Sequence, residues 1–267
     1  MRSIIAIALA TFKGGIRDRL LQGLVFAGFL LIASAGVFSS FSMRQPLEVA
    51  INYCLSATHI LAIIMTLFLG LNLLSQEIES KENHFILTQP IPRSYYILGK
   101  FGGLFLIIFA MVIILGFFSA LGVSSVCLGM KNYNIAWLNF CASLLGILFS
   151  CSILGAVIVL FTSVATSGIF PFLISFAVYT AGENTETVKN YITSGMAGEH
   201  ISHLSRLLID IIYYVLPNFS LFDFKVYAIY NLPLSGKLLS VSAGYGIAYT
   251  CLCLFFAIIL FEKRDLP

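Results

Sequence analysis

The sequence predicts an all-α, polytopic membrane protein, and three observations carry that prediction. Of 267 residues, 59% are hydrophobic and only 10% are charged, where a soluble domain carries roughly 25% charged residues. Mean hydropathy is +0.98, and 24 Phe with 12 Tyr leave too little polar surface to cover a globule in water. Apolar runs recur along the chain at lengths that fit bilayer crossings of about 20 residues each, which leaves no room for a second soluble domain. The expected architecture is a single transmembrane domain over 1–267, with six transmembrane helices, an N-terminal interfacial helix and both termini cytoplasmic. Net charge is +3 with the basic residues scattered, so no nucleic-acid partner is expected.

Residues 1–19 place Ile5, Leu9, Phe12 and Ile16 at helical spacing, with Lys13, Arg17 and Arg19 largely off that stripe. This reads as an interfacial helix. A cleaved signal fits poorly, because the apolar run is short and the basic cluster follows it. The first span is expected at 20–41, broken by Met43-Arg44-Gln45-Pro46, and the second at 51–75. The segment 76–98 is the most polar in the first half and is expected in the cytoplasm. Span three follows at 99–123. Residues 137–180 are too long for one crossing and divide at 163–168 into spans four and five, with Pro171 early in the second. The region 183–239 is expected to be extracytoplasmic or re-entrant, with a short helix over 201–217, and the last span covers 240–261.

Charge placement orients these spans. Lys and Arg number four at the N-terminus (Arg2, Lys13, Arg17, Arg19), three in 76–100 and two after the last span, against Arg44 and Lys131 in short segments on the other side. By the positive-inside rule the former face the cytoplasm.

Little in the chain signals catalysis. Cys54, Cys127, Cys141, Cys151, Cys251 and Cys253 lie in or beside apolar runs without metal-ligand spacing and read as packing residues. No phosphate-binding glycine loop, hydrolase elbow or metalloprotease motif occurs, so the chain is not expected to bind ATP itself or to be an enzyme. Glu199, His200 and His203 have metal-ligand types at i, i+3 spacing, but solvated histidines on a short outer helix are the plainer reading, and no metal is expected. His59 inside a span reads either as a proton relay or, more simply, as hydrogen-bonded to a neighbour such as Asn52 or Thr66. The rows Gly23-x-x-x-Ala27 and Ser240-x-x-x-Gly244-x-x-x-Ala248 could let helices approach closely, a pattern common in any polytopic protein.

Residues 76–87 can form one short amphipathic helix after Ser75. Ile78, Phe85 and Ile86 are apolar, Glu77, Glu79, Lys81 and Glu82 are polar, and Pro90 and Pro92 stop it. A polar helix held between two spans suits docking. Glu77-x-Glu79-x-Lys81, then Leu87-Thr-Gln-Pro90-x-x-Arg93 and Leu98-Gly-Lys100, resemble the cytoplasmic segment between spans two and three of type-two ABC exporter permeases. Leu216-Pro-Asn-Phe219 with Phe222-Asp-Phe, and the closing Phe261-Glu-Lys-Arg-Asp-Leu266, are similar to the same family, and to its copper-processing members of nitrous-oxide-reductase maturation. The resemblance implies a permease of the cytoplasmic (inner) membrane that couples to two copies of a separate ATPase, which carry ATP-Mg, and pairs with a second permease copy, identical or a close paralogue. It further implies that Glu77, Ile78, Glu79, Lys81, Glu82, Phe85 and Arg93 meet that ATPase. A membrane-embedded enzyme or maturation factor is the alternative, and it requires a convergent polar cluster within the membrane.

Overall fold

The computed structural model describes residues 2–42, 44–75, 92–128, 135–165, 168–193 and 211–263, which form helices and turns without a strand among them. The helices with both ends among the described residues are labelled in chain order: α1 (Arg2–Ile16), α2 (Arg19–Ala33), α3 (Ala35–Ser40), α4 (Pro46–Leu69), α5 (Arg93–Leu128), α6 (Trp137–Val164), α7 (Ile169–Thr193), α8 (Lys225–Ile229) and α9 (Gly236–Glu262). A π-helical turn, Gly70–Ser75, extends α4, and a 3-10 turn, Ser220–Phe222, precedes α8.

Among the described residues five helical stretches are long and apolar enough to cross a membrane: Arg19–Ser40, Pro46–Asn72, Arg93–Leu128, Trp137–Val164 and Gly236–Glu262. The protein is therefore a multi-pass, all-α membrane protein by the length and composition of its helices. α7 fills a sixth position, but only its first half is apolar. The helix does not end at Gly182 as the sequence suggests; it continues through Glu183, Glu186 and Lys189 to Thr193. From Ile169 to Gly182 it rises about 20 Å, less than the ~30 Å hydrocarbon core.

Local chemistry explains the boundaries. Asp18 caps α2 by accepting from the Leu20 amide at 2.9 Å. The first span is one apolar stretch but two helices, because the Ser34 hydroxyl bonds back to the Leu31 carbonyl at 2.6 Å and meets the Tyr53 hydroxyl at 2.9 Å. Pro46 opens α4, where a missing amide costs nothing. Ala165 turns extended after Val164 (φ −69°, ψ 144°), dividing α6 from α7 within the expected 163–168, and Pro171 is the third residue of α7.

α6 is the most enclosed helix, and the principal core forms around it from Leu104, Ile108, Ile153, Leu154, Ala257 and their neighbours. The Thr58 and Ser119 hydroxyls join α4 to α5 at 2.7 Å in the interior, where a polar link between spans adds specificity to packing. α2 is the most exposed span and turns Phe26, Leu30 and Leu31 outward, as a lipid-facing helix does.

The close helix contacts are not those the small-residue rows suggest. Gly23 and Gly244 meet nothing within 4 Å, whereas Gly28 sits against Leu61 and Leu115. The closest packing is between α1 and α5, where Gly99, Gly102 and Gly103 face Ile7, Ala8 and Thr11. α1 thus buries its small face, Ala8 and Thr11, and leaves Ile5, Leu9 and Ile16 exposed. A Cβ on Gly103 would lie 2.7 Å from the Ala8 carbonyl oxygen, an atom of the backbone. Gly103→Leu should therefore destabilise the α1–α5 contact by about 1–3 kcal/mol, read as a lower unfolding temperature in detergent. Unchanged unfolding would contradict this packing.

Candidate functional site

Two regions carry polar chemistry. The first is one end of the bundle. There the Asn72 amide donates to Asp18 at 2.8 Å, tying the π-helical turn that extends α4 to the N-cap of α2. Arg93, the first residue of α5, donates to the carbonyls of Phe261 and Glu262 at 3.4 and 3.2 Å, and Tyr96 stacks on Phe261. An Arg at a helix C-terminus satisfies orphan carbonyls and complements the dipole. The start of α2, the end of α4, the start of α5 and the end of α9 thus share one end, where Ser75 and Pro92, the described residues on either side of 76–91, also lie. Lys100 is buried one turn beyond Tyr96, with its ammonium 5.7 Å from that ring.

The second region lies toward the opposite end of α6 and α9. Residues 217–229 turn one face inward among α6, α7 and α9. Three glycines make the room. A Cβ on Gly146 would strike the Phe222 carbonyl oxygen, one on Gly182 the Pro217 carbonyl oxygen, and one on Gly246 the Phe222 ring at 3.3 Å. Gly146 and Gly246 each lie about 14–15 Å from the start of their helices, which measures how deep the segment reaches. Phe219, Phe222 and Phe224 are all buried by the insertion. Its backbone is held by side chains: the Asn139 amide donates to Tyr227 and Leu232 carbonyls at 3.0 and 2.9 Å, and the Ser143 hydroxyl to Phe224 at 3.1 Å. Buried carbonyls outside helices need such donors.

α7 grips the same segment along one face. The Phe219 amide bonds the Gly182 carbonyl at 3.4 Å, Glu186 accepts from Ser220 at 2.8 Å and Asn218 at 3.3 Å, and Lys189 stands 3.5 Å over the Tyr213 ring. Residues 182, 186 and 189 follow the helical repeat, which explains why the polar half of α7 stays helical.

Around the inserted turn the structure gathers ionisable groups that sequence spacing keeps far apart. Asp223 accepts from the Lys225 amide at 3.2 Å, and the Lys225 ammonium is 3.8 Å from the same carboxylate. His59 of α4 and Glu183 of α7 each interact electrostatically with this Lys225–Asp223 pair. Tyr179, one turn before Glu183, interacts with its carboxylate, yet Glu183 Oε2 is buried with no hydrogen-bond partner.

His59 does not take the partners expected for it. Thr66 donates to Ala62 at 2.7 Å and Asn52 accepts from Ser56 at 3.3 Å, each within α4. Of the expected docking residues, Arg93 lies at the bundle end described above, whereas Glu77, Ile78, Glu79, Lys81, Glu82 and Phe85 lie outside the described residues, as do Glu199, His200 and His203. Among the described residues no group of three His, Cys, Asp or Glu side chains is arranged to hold a metal ion. None of the six cysteines forms a disulfide, and Cys54, Cys151 and Cys253 are buried as packing residues. The Glu183–Asp223–Lys225 cluster escaped sequence reasoning because its members are 40 residues apart along the chain; the signal present was an acidic residue directly after the last apolar turn of a span.

No protein-family model matches the sequence, and no curated protein matches it.

Proposed function

We propose that this chain is the membrane-spanning permease subunit of an ABC exporter, coupled through residues 76–87 to a separately encoded ATPase. The observation that best supports the reading is the bundle end that carries 76–91. Asp18–Asn72 and Arg93 with the α9 carbonyls lock the two helices flanking the segment to their neighbours. A push on 76–91 therefore reaches α2, α4, α5 and α9 together, which a coupling element between spans two and three requires.

In this reading two permease copies work with two ATPase copies, and ATP-Mg is bound by the ATPase alone. Closure of the nucleotide-bound ATPase pair moves the coupling helices, and the permease halves rock to open a path on the far side. α7 serves as the fifth of six crossings, so both chain ends lie on the cytoplasmic side of the inner membrane and 194–239 lies toward the outside. The inserted segment then closes the path at its outer end. Nothing in the aromatic, apolar walls distinguishes one substrate class.

Cysteine labelling in intact cells tests the orientation. In a background without native cysteines, Ser194→Cys should react with a membrane-impermeant reagent and Lys81→Cys should not. The reverse pattern would overturn the orientation.

The second reading, a membrane-embedded enzyme or maturation factor without an ATPase, draws support from the cluster of His59, Glu183, Asp223 and Lys225. Purification from native membranes in mild detergent separates the two. The exporter reading expects a P-loop ATPase in the complex and ATP hydrolysis that depends on it; a chain that purifies without one and retains its activity favours the enzyme.

A further inference from the structure

At the end of the bundle where Asn72 meets Asp18, a narrow groove runs between α2 and α4. Leu20, Leu21 and Leu24 line it from α2, Met65, Phe68 and Leu69 line it from α4, and Asp18 and Asn72 form its polar end. Its floor is buried: Leu21, Met65 and Leu69 belong to a core cluster with Ile107 and Met111 of α5. Leu20 and Phe68 stand exposed at its lips. From Met65 to Asn72 the groove follows α4 and its π-helical extension for about 10 Å. Both walls belong to stretches long and apolar enough to cross a membrane, so the open side faces acyl chains over most of its length. A fitting occupant is apolar along one arm and polar at one end.

The polar end selects the sign of the headgroup. Asp18 has no oxygen to spare, because Oδ1 accepts from the Leu20 amide at 2.9 Å and Oδ2 from the Asn72 side chain at 2.8 Å. Arg17 and Arg19 flank it in the chain, both exposed, and among the described residues neither guanidinium makes a hydrogen bond or ion pair. Lys13, four residues before Arg17, is exposed as well. The turn that carries them is fixed: the Arg17 and Asp18 amides bond the Gly14 and Gly15 carbonyls at 3.2 and 3.0 Å, and the Gln22 side chain donates to Ile16 at 3.2 Å. Three cations against one carboxylate leave a surplus of two positive charges beside the mouth. A phosphate diester complements that surplus. A zwitterionic lipid brings its own ammonium to the same place, whereas an anionic one does not.

We propose that this groove is a binding site for one anionic phospholipid, with an acyl chain along Leu21, Leu24, Met65 and Leu69 and the phosphate at Arg17 and Arg19. The bound lipid bridges the α1–α2 turn and the end of α4. The site holds with or without an ATPase partner.

Photolabelling of the full-length protein tests this. The protein is placed in phosphatidylcholine nanodiscs with a trace of phosphatidylglycerol carrying a diazirine on one acyl chain, or of phosphatidylcholine carrying the same chain, and the labelled peptides are read by mass spectrometry. Each basic group near an anionic lipid is worth about 5-fold, so two should favour the phosphatidylglycerol probe by about 30-fold at residues 20–24 and 65–69. Arg17→Gln with Arg19→Gln should bring that labelling down to the phosphatidylcholine level. Leu24→Trp fills the groove and should remove labelling there by both probes while leaving it unchanged at Phe26 and Leu30, on the exposed side of α2. If Leu24→Trp does not melt like wild type, Leu20→Trp at the exposed lip takes its place. Excess inorganic phosphate should not displace the probe; displacement would make this a free-phosphate site and overturn the proposal. It is equally overturned if wild type shows no phosphatidylglycerol preference at 20–24 and 65–69, if the double arginine variant keeps that preference, or if the groove-filled variant is labelled like wild type.

Discussion

Gly182→Leu should detach the inserted segment from α7 and lower the unfolding temperature of the detergent-solubilised protein by roughly 5–10 °C. A Cβ at this position collides with the Pro217 carbonyl oxygen and approaches the Phe219 ring at 2.9 Å. The first obstacle is backbone, which cannot rotate aside as a side chain does, so either α7 or the segment must move. Movement forfeits the Phe219–Gly182 backbone bond and strains the Glu186 contacts to Asn218 and Ser220. Overpacking of this kind costs about 1–3 kcal/mol and more where backbone is the obstacle, and each kcal/mol moves the midpoint of a chain this size by roughly 2–4 °C. The control is Gly23→Leu on α2, where nothing lies within 4 Å. It should melt like wild type. Equal losses for the two variants would mean that the glycine notches do not hold the segment.

The second large effect is expected at the other end. Phe85→Ala should weaken ATPase recruitment by about 30-fold, since truncating a buried aromatic anchor at the centre of an interface costs about 2 kcal/mol or more. Glu77→Lys with Glu79→Lys should uncouple the complex as well, though charges at an interface rim are worth only about 0–1 kcal/mol each and a single reversal should be nearly silent. Both variants leave the spans untouched, so insertion and folding should match wild type. Full recruitment and coupled activity in both would reduce 76–87 to an ordinary solvated loop.

What the sequence made legible follows from the range of the forces involved. Spans announce themselves because about 20 contiguous apolar residues have few other uses, and the break at 163–168 was visible because Gly168 and Pro171 follow it locally. The extent of α7 was not visible, since hydropathy ends at Gly182 while the helix is sustained to Thr193 by contacts with residues 213–220. Small-residue rows misled for the same reason. Gly23 and Gly244 have the spacing of close contacts, but which glycine meets a neighbour is decided by how distant helices pack, and Gly103, Gly146 and Gly182 are the ones that do. His59 was marked as unusual by its depth in an apolar run, yet its neighbours Lys225 and Asp223 arrive from 164–166 residues downstream, beyond any local pattern.

The central claim is that 76–87 docks an ATPase, and site-specific crosslinking tests it most directly. A photoreactive amino acid in place of Phe85, expressed in the native host, should yield one dominant adduct whose peptides, read by mass spectrometry, come from a P-loop ATPase. The same probe in place of Phe26, on the exposed face of α2, should not capture it. Adducts at position 85 that contain no ATPase would contradict the account.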